Sequence, residues 1–307
     1  AREMRELHPP TLTITAGFSD ARRAHSYGHP VIMWDHGTGQ TYQDPDGKPK
    51  RHGGANTPFH GLTAALVQTE RLAEIHRAAL PGVPVYAIGS PRVDQLALIP
   101  KPSNPEPVVA FAFHWHSTIC PETEATFPYW QSSVPVVAQN YKVLGHGHPR
   151  YWEELEPAYR RMGIEPVENF TEVVQRADIL VCDNSSVMWE WVAIDRPLVI
   201  LNGRPYRSTA RHGMRFWDWA DAGPSARYPS ELLQAIHTAI ADPPKYARRR
   251  REVALEAYGP LDGKSAQRAA QAILDVYLGG GTCHPATPDS ASASTTARSA
   301  SSSAPSP

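Results

Sequence analysis

The chain has 307 residues, a formal net charge of −1 and 41% hydrophobic residues, enough apolar material for one large domain or two small ones. The balanced charge excludes the strongly basic pattern of a nucleic-acid or membrane-surface protein. Three widely spaced cysteines, Cys120, Cys182 and Cys283, suit neither a disulfide framework nor a metal-ligand spacing and point to a reducing compartment.

The first half reads as short buried strands at 11–16, 30–34, 62–68 and 83–89. Between the last two, "TERLAEIHRAAL" (69–80) puts Leu72, Ile75, Ala79 and Leu80 on one helical face, with Glu70 in the first turn. The run "IPKPSNPEP" (99–107) carries four prolines in nine residues, which suits neither helix nor central strand and marks a linker. Strands follow at 108–115, 141–146, 178–183 and 197–202. Helices are expected within 122–139 and at 150–163, 186–194, 229–241, 243–258 and 264–278. From Gly279 the chain is Gly, Ser, Ala, Thr and Pro with almost no large apolar residue, a disordered composition. No signal-peptide pattern and no apolar run of bilayer length is present.

Alternating apolar strands and helices imply parallel sheets covered on both faces. The expected fold is α/β, with a Rossmann-like unit over 1–104, a second over 105–278 that includes the closing helices, and a tail over 279–307. In such folds the ligand sits beyond the carboxyl ends of the strands, so the strand-to-helix corners are the places to search.

In "CDNSSVMWEW" (182–191), Asp183 ends a strand and Asn184, Ser185 or Ser186 can cap the next helix. The same helix end is a candidate anion site, with the serine hydroxyls as added donors and Glu190 two turns on, within reach of a ribose diol. A well-capped helix with no ligand reads the same way. In "WDHGTGQTY" (34–42), His36 at a strand end suits a general base, while Gly37 and Thr38 lie in a tight turn that admits close approach of a ligand. Asp35 can orient that histidine only if the two side chains turn to the same side. "GHGHPR" (145–150) offers His146, His148 and Arg150 to a diphosphate. "GSPRVD" (89–94) offers Arg92 for an anion contact or an interdomain hinge.

These corners, in this order, resemble the CDP-glycerol glycerophosphotransferase family, the teichoic acid polymerases and primases. "WDHGTGQTY" is similar to its W-H-G-T segment, "IGSPRVD" to G-x-P-R-x-D, and "GHGHP" to K-x-H-P. "ADILVCDNSSVMWEWVAIDRPLVIL" is similar to its A-D-x-x-I-T-D-Y-S-S run, and "DGKSAQRAAQAIL" to its closing D-G-K-A-S-x-R helix. The resemblance implies a GT-B fold and an acceptor hydroxyl that attacks the β-phosphate of CDP-glycerol and releases CMP. It makes His36 the base and gives His148 the diphosphate or the departing CMP. It puts Ser185 and Ser186 on the phosphate oxygens and Glu190 on the ribose. No cofactor and no metal is implied. The partners it implies are a nucleotide-activated donor and a polyol-phosphate or glycolipid acceptor, with no nucleic acid. The implied location is the cytoplasm, with peripheral contact at the inner face of the plasma membrane.

The chain also departs from that pattern. Asp35 separates Trp34 from His36, Asn184 replaces a tyrosine, "AFAFHWHST" replaces P-T-x-R, and "GHGHP" lacks the lysine. Two lost cations leave a nucleotide-sugar donor as the alternative. A second alternative is a metal-dependent hydrolase built on His114, His116, His146 and His148 with Asp183. A third is a binding module using the basic run "KYARRRRE" (245–252), which otherwise reads as a solvated helix face.

Overall fold

A computed structural model describes residues 12–35, 61–116, 125–202 and 218–278. Strands β1 (Thr13–Thr15), β2 (Val31–Trp34), β3 (Ala64–Val67) and β4 (Val85–Ala87) form one wholly parallel sheet in that order. Each lies inside a run read as a strand. Helix α1 (Phe18–His25), which the sequence did not announce, joins β1 to β2. Helix α2 (Glu70–Ala79) starts where Thr69 Oγ1 accepts the Leu72 N–H at 3.2 Å. It buries His76 with Leu72, Ala73 and Ala79, so a histidine sits on the face read as purely apolar.

Helix α3 (Pro91–Ala97) occupies a segment for which no helix was expected. The turn signals serve here as helix-start signals. Pro91 stands in the first turn, where its missing N–H costs nothing, and Ser90 Oγ accepts the Val93 N–H at 3.3 Å. The proline-rich linker is fastened down rather than loose. The buried Arg196 guanidinium donates to the carbonyls of Ile99 (3.2 Å) and Pro100 (3.0 Å), and Asn104 donates to Asp178 at 2.8 Å.

The second sheet is also parallel. Its strands are β5 (Val108–Phe113), β6 (Lys142–Gly147), β7 (Glu165–Pro166), β8 (Ile179–Cys182), β9 (Leu198–Leu201) and β10 (Ser225–Ala226). Their order is β10-β9-β8-β5-β6-β7. The chain fills the sheet outward from β5 in one direction, then returns to β8 on the other side of β5 and proceeds the opposite way. The reversal makes the β5–β8 junction the topological switch point, where a crevice opens beyond the carboxyl ends of the strands.

Alternate residues of β5 and β8 serve opposite faces. Ala110, Ala112, Leu180 and Cys182 pack with Met188, Trp189, Trp191, Val253 and Ala257, while Val109, Phe111, Phe113 and Val181 pack with Trp130, Leu155, Tyr159 and Ile236. The helix expected within 122–139 is two short ones, α4 (Phe127–Trp130) and α5 (Ser133–Ala138). After a 3₁₀ turn at Pro149–Tyr151 come α6 (Trp152–Arg161), α7 (Phe170–Arg176) and α8 (Val187–Ala193), and later α9 (Leu232–Ala241), α10 (Pro244–Tyr258) and α11 (Ser265–Tyr277).

Helix α11 returns to the first sheet. Ala269 and Ala272 pack under Ile32, Ala64 and Leu66, and Arg268 donates to the Ile88 carbonyl at 2.9 Å. Asp94 of α3 accepts the Ser265 N–H at 2.8 Å, so it caps α11 from another part of the chain. Gly89 permits this contact. Its φ is +81°, and a Cβ there would strike the Ser265 hydroxyl and the Arg268 guanidinium. No helix among the described residues is long and apolar enough to cross a membrane.

Candidate functional site

The carboxyl ends of the first sheet face the second half across a cavity of about 480 Å³. Thr15, Trp34, Asp35 and Gly89–Arg92 line it from one side, and Glu190 of α8 and Tyr258 of α10 line it from the other. Asp35 is firmly seated there. Its N–H donates to the Leu66 carbonyl at 2.8 Å, its carbonyl accepts from Gln68 Nε2, and its buried carboxylate lies 3.7 Å from His76 Nε2. Asp35 therefore faces His76, where the sequence had offered it as an orienting group for His36.

Arg92 and Glu190 span the cavity. Their closest approach is 3.4 Å, and Arg92 also donates to the Thr171 hydroxyl at 3.0 Å. Burial pushes the Glu190 carboxyl above its ordinary range, and the Arg92 charge opposes that push. Both residues had been read as ligand contacts. Each lines the cavity and each is partnered by the other.

Asp183 organises the switch point. It is fully buried. Oδ1 accepts the N–H groups of His114 (2.8 Å) and Ser185 (3.2 Å), and Oδ2 accepts the Thr126 hydroxyl (3.1 Å) and N–H (3.4 Å). One carboxylate thereby ties the end of β5, the entry to α4 and the turn into α8. Desolvation raises its pKa from 3.8 to about 7 against the pull of those four donors. This corrects the expectation that Asp183 contacts donor phosphate or ribose: both oxygens are taken up by the protein's own donors.

The same turn corrects the capping expectation. Ser186 is the residue before α8, yet its side chain makes no capping hydrogen bond. The Asp183–Ser185 bond closes the turn instead. Ser186 is exposed, whereas Ser185 and Asn184 are buried at 2% and 5% exposure, so only Ser186 of the three stands open to solvent.

His148 begins the 3₁₀ turn after β6. Its Nδ1 accepts the Arg150 N–H at 3.1 Å, so in the neutral ring Nε2 carries the proton. Burial, then the Arg150 charge, then His146 hold its imidazole below the ordinary value. Its ring lies 5.5 Å from His114 and 5.9 Å from Trp115, and the Arg150 guanidinium lies 4.8 Å over the Trp115 ring. Because the His114 and Ser185 N–H groups share one oxygen of Asp183, this aromatic cluster adjoins the serine turn.

His146 is a correction. It is buried, its Nδ1 donates to the Val167 carbonyl at 2.9 Å, and its ring packs 5.4 Å from Phe170. Two residues along, the strand has ended and His148 turns to His114, so the two rings do not share a face. With His146 in the core and Asp183 fully hydrogen-bonded, the proposed ligand set disperses, and no group of three or more potential ligands gathers among the described residues. The basic run is likewise mostly neutralised. Arg249 pairs with Asp221, Arg250 with Asp242 and Asp195, and Arg251 with Asp195. His36, Gly37 and Thr38 lie outside the described residues.

Thr126, His76, Trp115 and Tyr258 were missed from the sequence. Each meets the site through tertiary packing, and only Trp115, set between two histidines in "HWH", carried any local signal.

Residues 132–275 match the model of the family described as CDP-glycerol:poly(glycerophosphate) glycerophosphotransferase. No curated protein sequence matches the chain. Among solved structures, the wall teichoic acid polymerase TagF is similar at TM-score 0.57 and 17% identity, over 81% of this chain and 69% of that one. The S. aureus MnaA–UDP complex is similar at TM-score 0.60 and 14% identity, over 92% and 79%. The UDP-GlcNAc 2-epimerase from Neisseria meningitidis bound to UDP-GlcNAc gives 0.58 and 13%, over 86% and 76%. These likenesses carry the fold, a GT-B-like pair of parallel-sheet units about a cleft.

Proposed function

From the premise that the chain carries, over residues 132–275, a domain of the CDP-glycerol glycerophosphotransferase family, we propose that it transfers glycerol phosphate, or a related polyol phosphate, from a CDP-activated donor to an acceptor hydroxyl in cell-wall polymer synthesis. The observation that supports this most is the shared cleft: Asp35, next to His36 in sequence, and Glu190, on the helix after the serine turn, line one cavity from opposite halves. In the proposed reaction an acceptor hydroxyl attacks the β-phosphate, and CMP departs as the phosphoanhydride bond breaks. His36 takes the hydroxyl proton. His148 donates Nε2–H to the diphosphate or the departing CMP. Ser185 and Ser186 hold phosphate oxygens, Gly37 and Thr38 approach the ligand, and Glu190 reaches the ribose. Positioning and charge stabilisation supply most of such catalysis. The acceptor is a polyol-phosphate or glycolipid, met in the cytoplasm at the inner face of the plasma membrane.

The test is release of CMP from CDP-glycerol or CDP-ribitol on addition of a polyol-phosphate primer. Turnover dependent on primer supports the reading; no release from either donor sinks it. For the joint substitution Ser185→Ala with Ser186→Ala, donor binding is expected to weaken by about 1–3 kcal/mol, the value of charge-assisted hydrogen bonds. Isothermal titration checks this, and an unchanged affinity counts against the phosphate site.

A nucleotide-sugar donor is the second reading. Two observations favour it: the loss of two cations relative to the family pattern, and the likeness to a UDP-bound protein over 92% of the chain. UDP-sugars in the same assay separate the two.

A further inference from the structure

We propose that Arg150, whose guanidinium lies over the Trp115 ring, is a binding residue for the diphosphate of the donor. The inference rests on the donor reading above and goes beyond it by naming the cation. Strands β5 and β6 pair in parallel with Phe113 opposite Gly147. The two residues after Phe113 and the three after Gly147 therefore emerge side by side at the carboxyl edge, which brings Trp115 to Arg150.

The guanidinium lies 4.8 Å over the indole ring. A guanidinium held over an indole by cation–π attraction keeps its fork of N–H donors, the group that grips two phosphate oxygens at once. Arg150 is exposed. Its charge is thus available at the switch point, whereas Arg92, the other arginine of the site, is engaged with Glu190.

Arg150 also sets its neighbour. Its backbone N–H occupies His148 Nδ1 at 3.1 Å, which leaves the His148 proton on Nε2. The result is a pair of donors, one charged and one neutral, at the start of one 3₁₀ turn. Trp115 is what makes the arrangement specific to arginine. A lysine ammonium has no face to lay on the indole and no fork to offer the phosphates.

The experiment is titration of CDP and CMP into the wild-type chain and into Arg150→Ala, Arg150→Lys, Trp115→Ala and Trp115→Phe. Thermal melts confirm that each variant is folded. Expected for Arg150→Ala is a loss of about 10–100-fold in CDP affinity, as for a charged hydrogen bond, with CMP affinity changed far less. Arg150→Lys and Trp115→Ala should lose most of that preference for two phosphates, and Trp115→Phe should keep most of it. Equal losses for CDP and CMP, or none, overturn the proposal and leave Arg150 as a cover on Trp115. If the wild-type chain binds neither nucleotide, the donor reading falls and this assignment with it.

Discussion

Replacing Asp183 with asparagine is expected to destabilise the fold by about 1–3 kcal/mol near neutral pH, the cost of leaving a buried donor without its acceptor. The amide oxygen can still accept the His114 and Ser185 N–H groups, but the amide nitrogen then faces the Thr126 N–H, donor against donor. The pH dependence of this penalty is the sharper result. Burial raises the folded-state carboxyl from 3.8 to about 7, so between those values the folded chain holds a proton that the unfolded chain has released. The stability contributed by that proton is complete below about pH 4 and is lost as the pH rises through about 7. By linkage the swing is at most about 4 kcal/mol. The variant lacks this group, so the gap between wild type and Asp183→Asn should narrow from pH 5 to pH 8. The nearby Cys182, Tyr151 and Tyr159 are themselves raised by burial, stay neutral over this window and do not mimic the effect. Denaturant unfolding at several pH values checks this. A gap that stays flat from pH 5 to pH 8 means that the four donors outweigh desolvation and keep Asp183 ionised throughout.

His36→Ala is expected to lower turnover by about 10²–10⁴-fold, the usual contribution of a positioned general base, while donor affinity changes by less than about threefold. Asp35 supplies the structural ground. Residue 35 is fixed at the end of β2 by bonds to Leu66 and Gln68 and lines the cavity opposite Glu190, and His36 is its neighbour in sequence. Steady-state CMP release and calorimetry on the same preparation separate the two effects. Normal turnover removes His36 as the base, and lost donor binding with lost turnover makes it a ligand contact instead.

The fold was largely legible because its strands are short apolar runs bounded by turn residues, and both sheets bury both faces. That same burial hid the orientation of polar residues on strands. In an exposed sheet, alternation would have told inward from outward. Here His146 points into a second core rather than to solvent. The two-residue strands β7 and β10 have no pattern of their own and exist because neighbours offer them a ladder. Helix α3 was not expected because Ser-Pro after glycine signals a turn and a helix start equally well. Asp183 was recognised as important for the wrong reason. Its role depends on Thr126, 57 residues away, a contact that no local spacing announces.

The most direct test of the donor cleft is calorimetric titration of the purified chain, without added metal, with CDP-glycerol, CDP-ribitol, a UDP-sugar and a GDP-sugar. Saturable, one-site binding of a cytidine diphosphate donor is expected, and it weakens in the Ser185→Ala, Ser186→Ala variant. Absence of binding by every nucleotide diphosphate, or binding indifferent to the two serines, would contradict it.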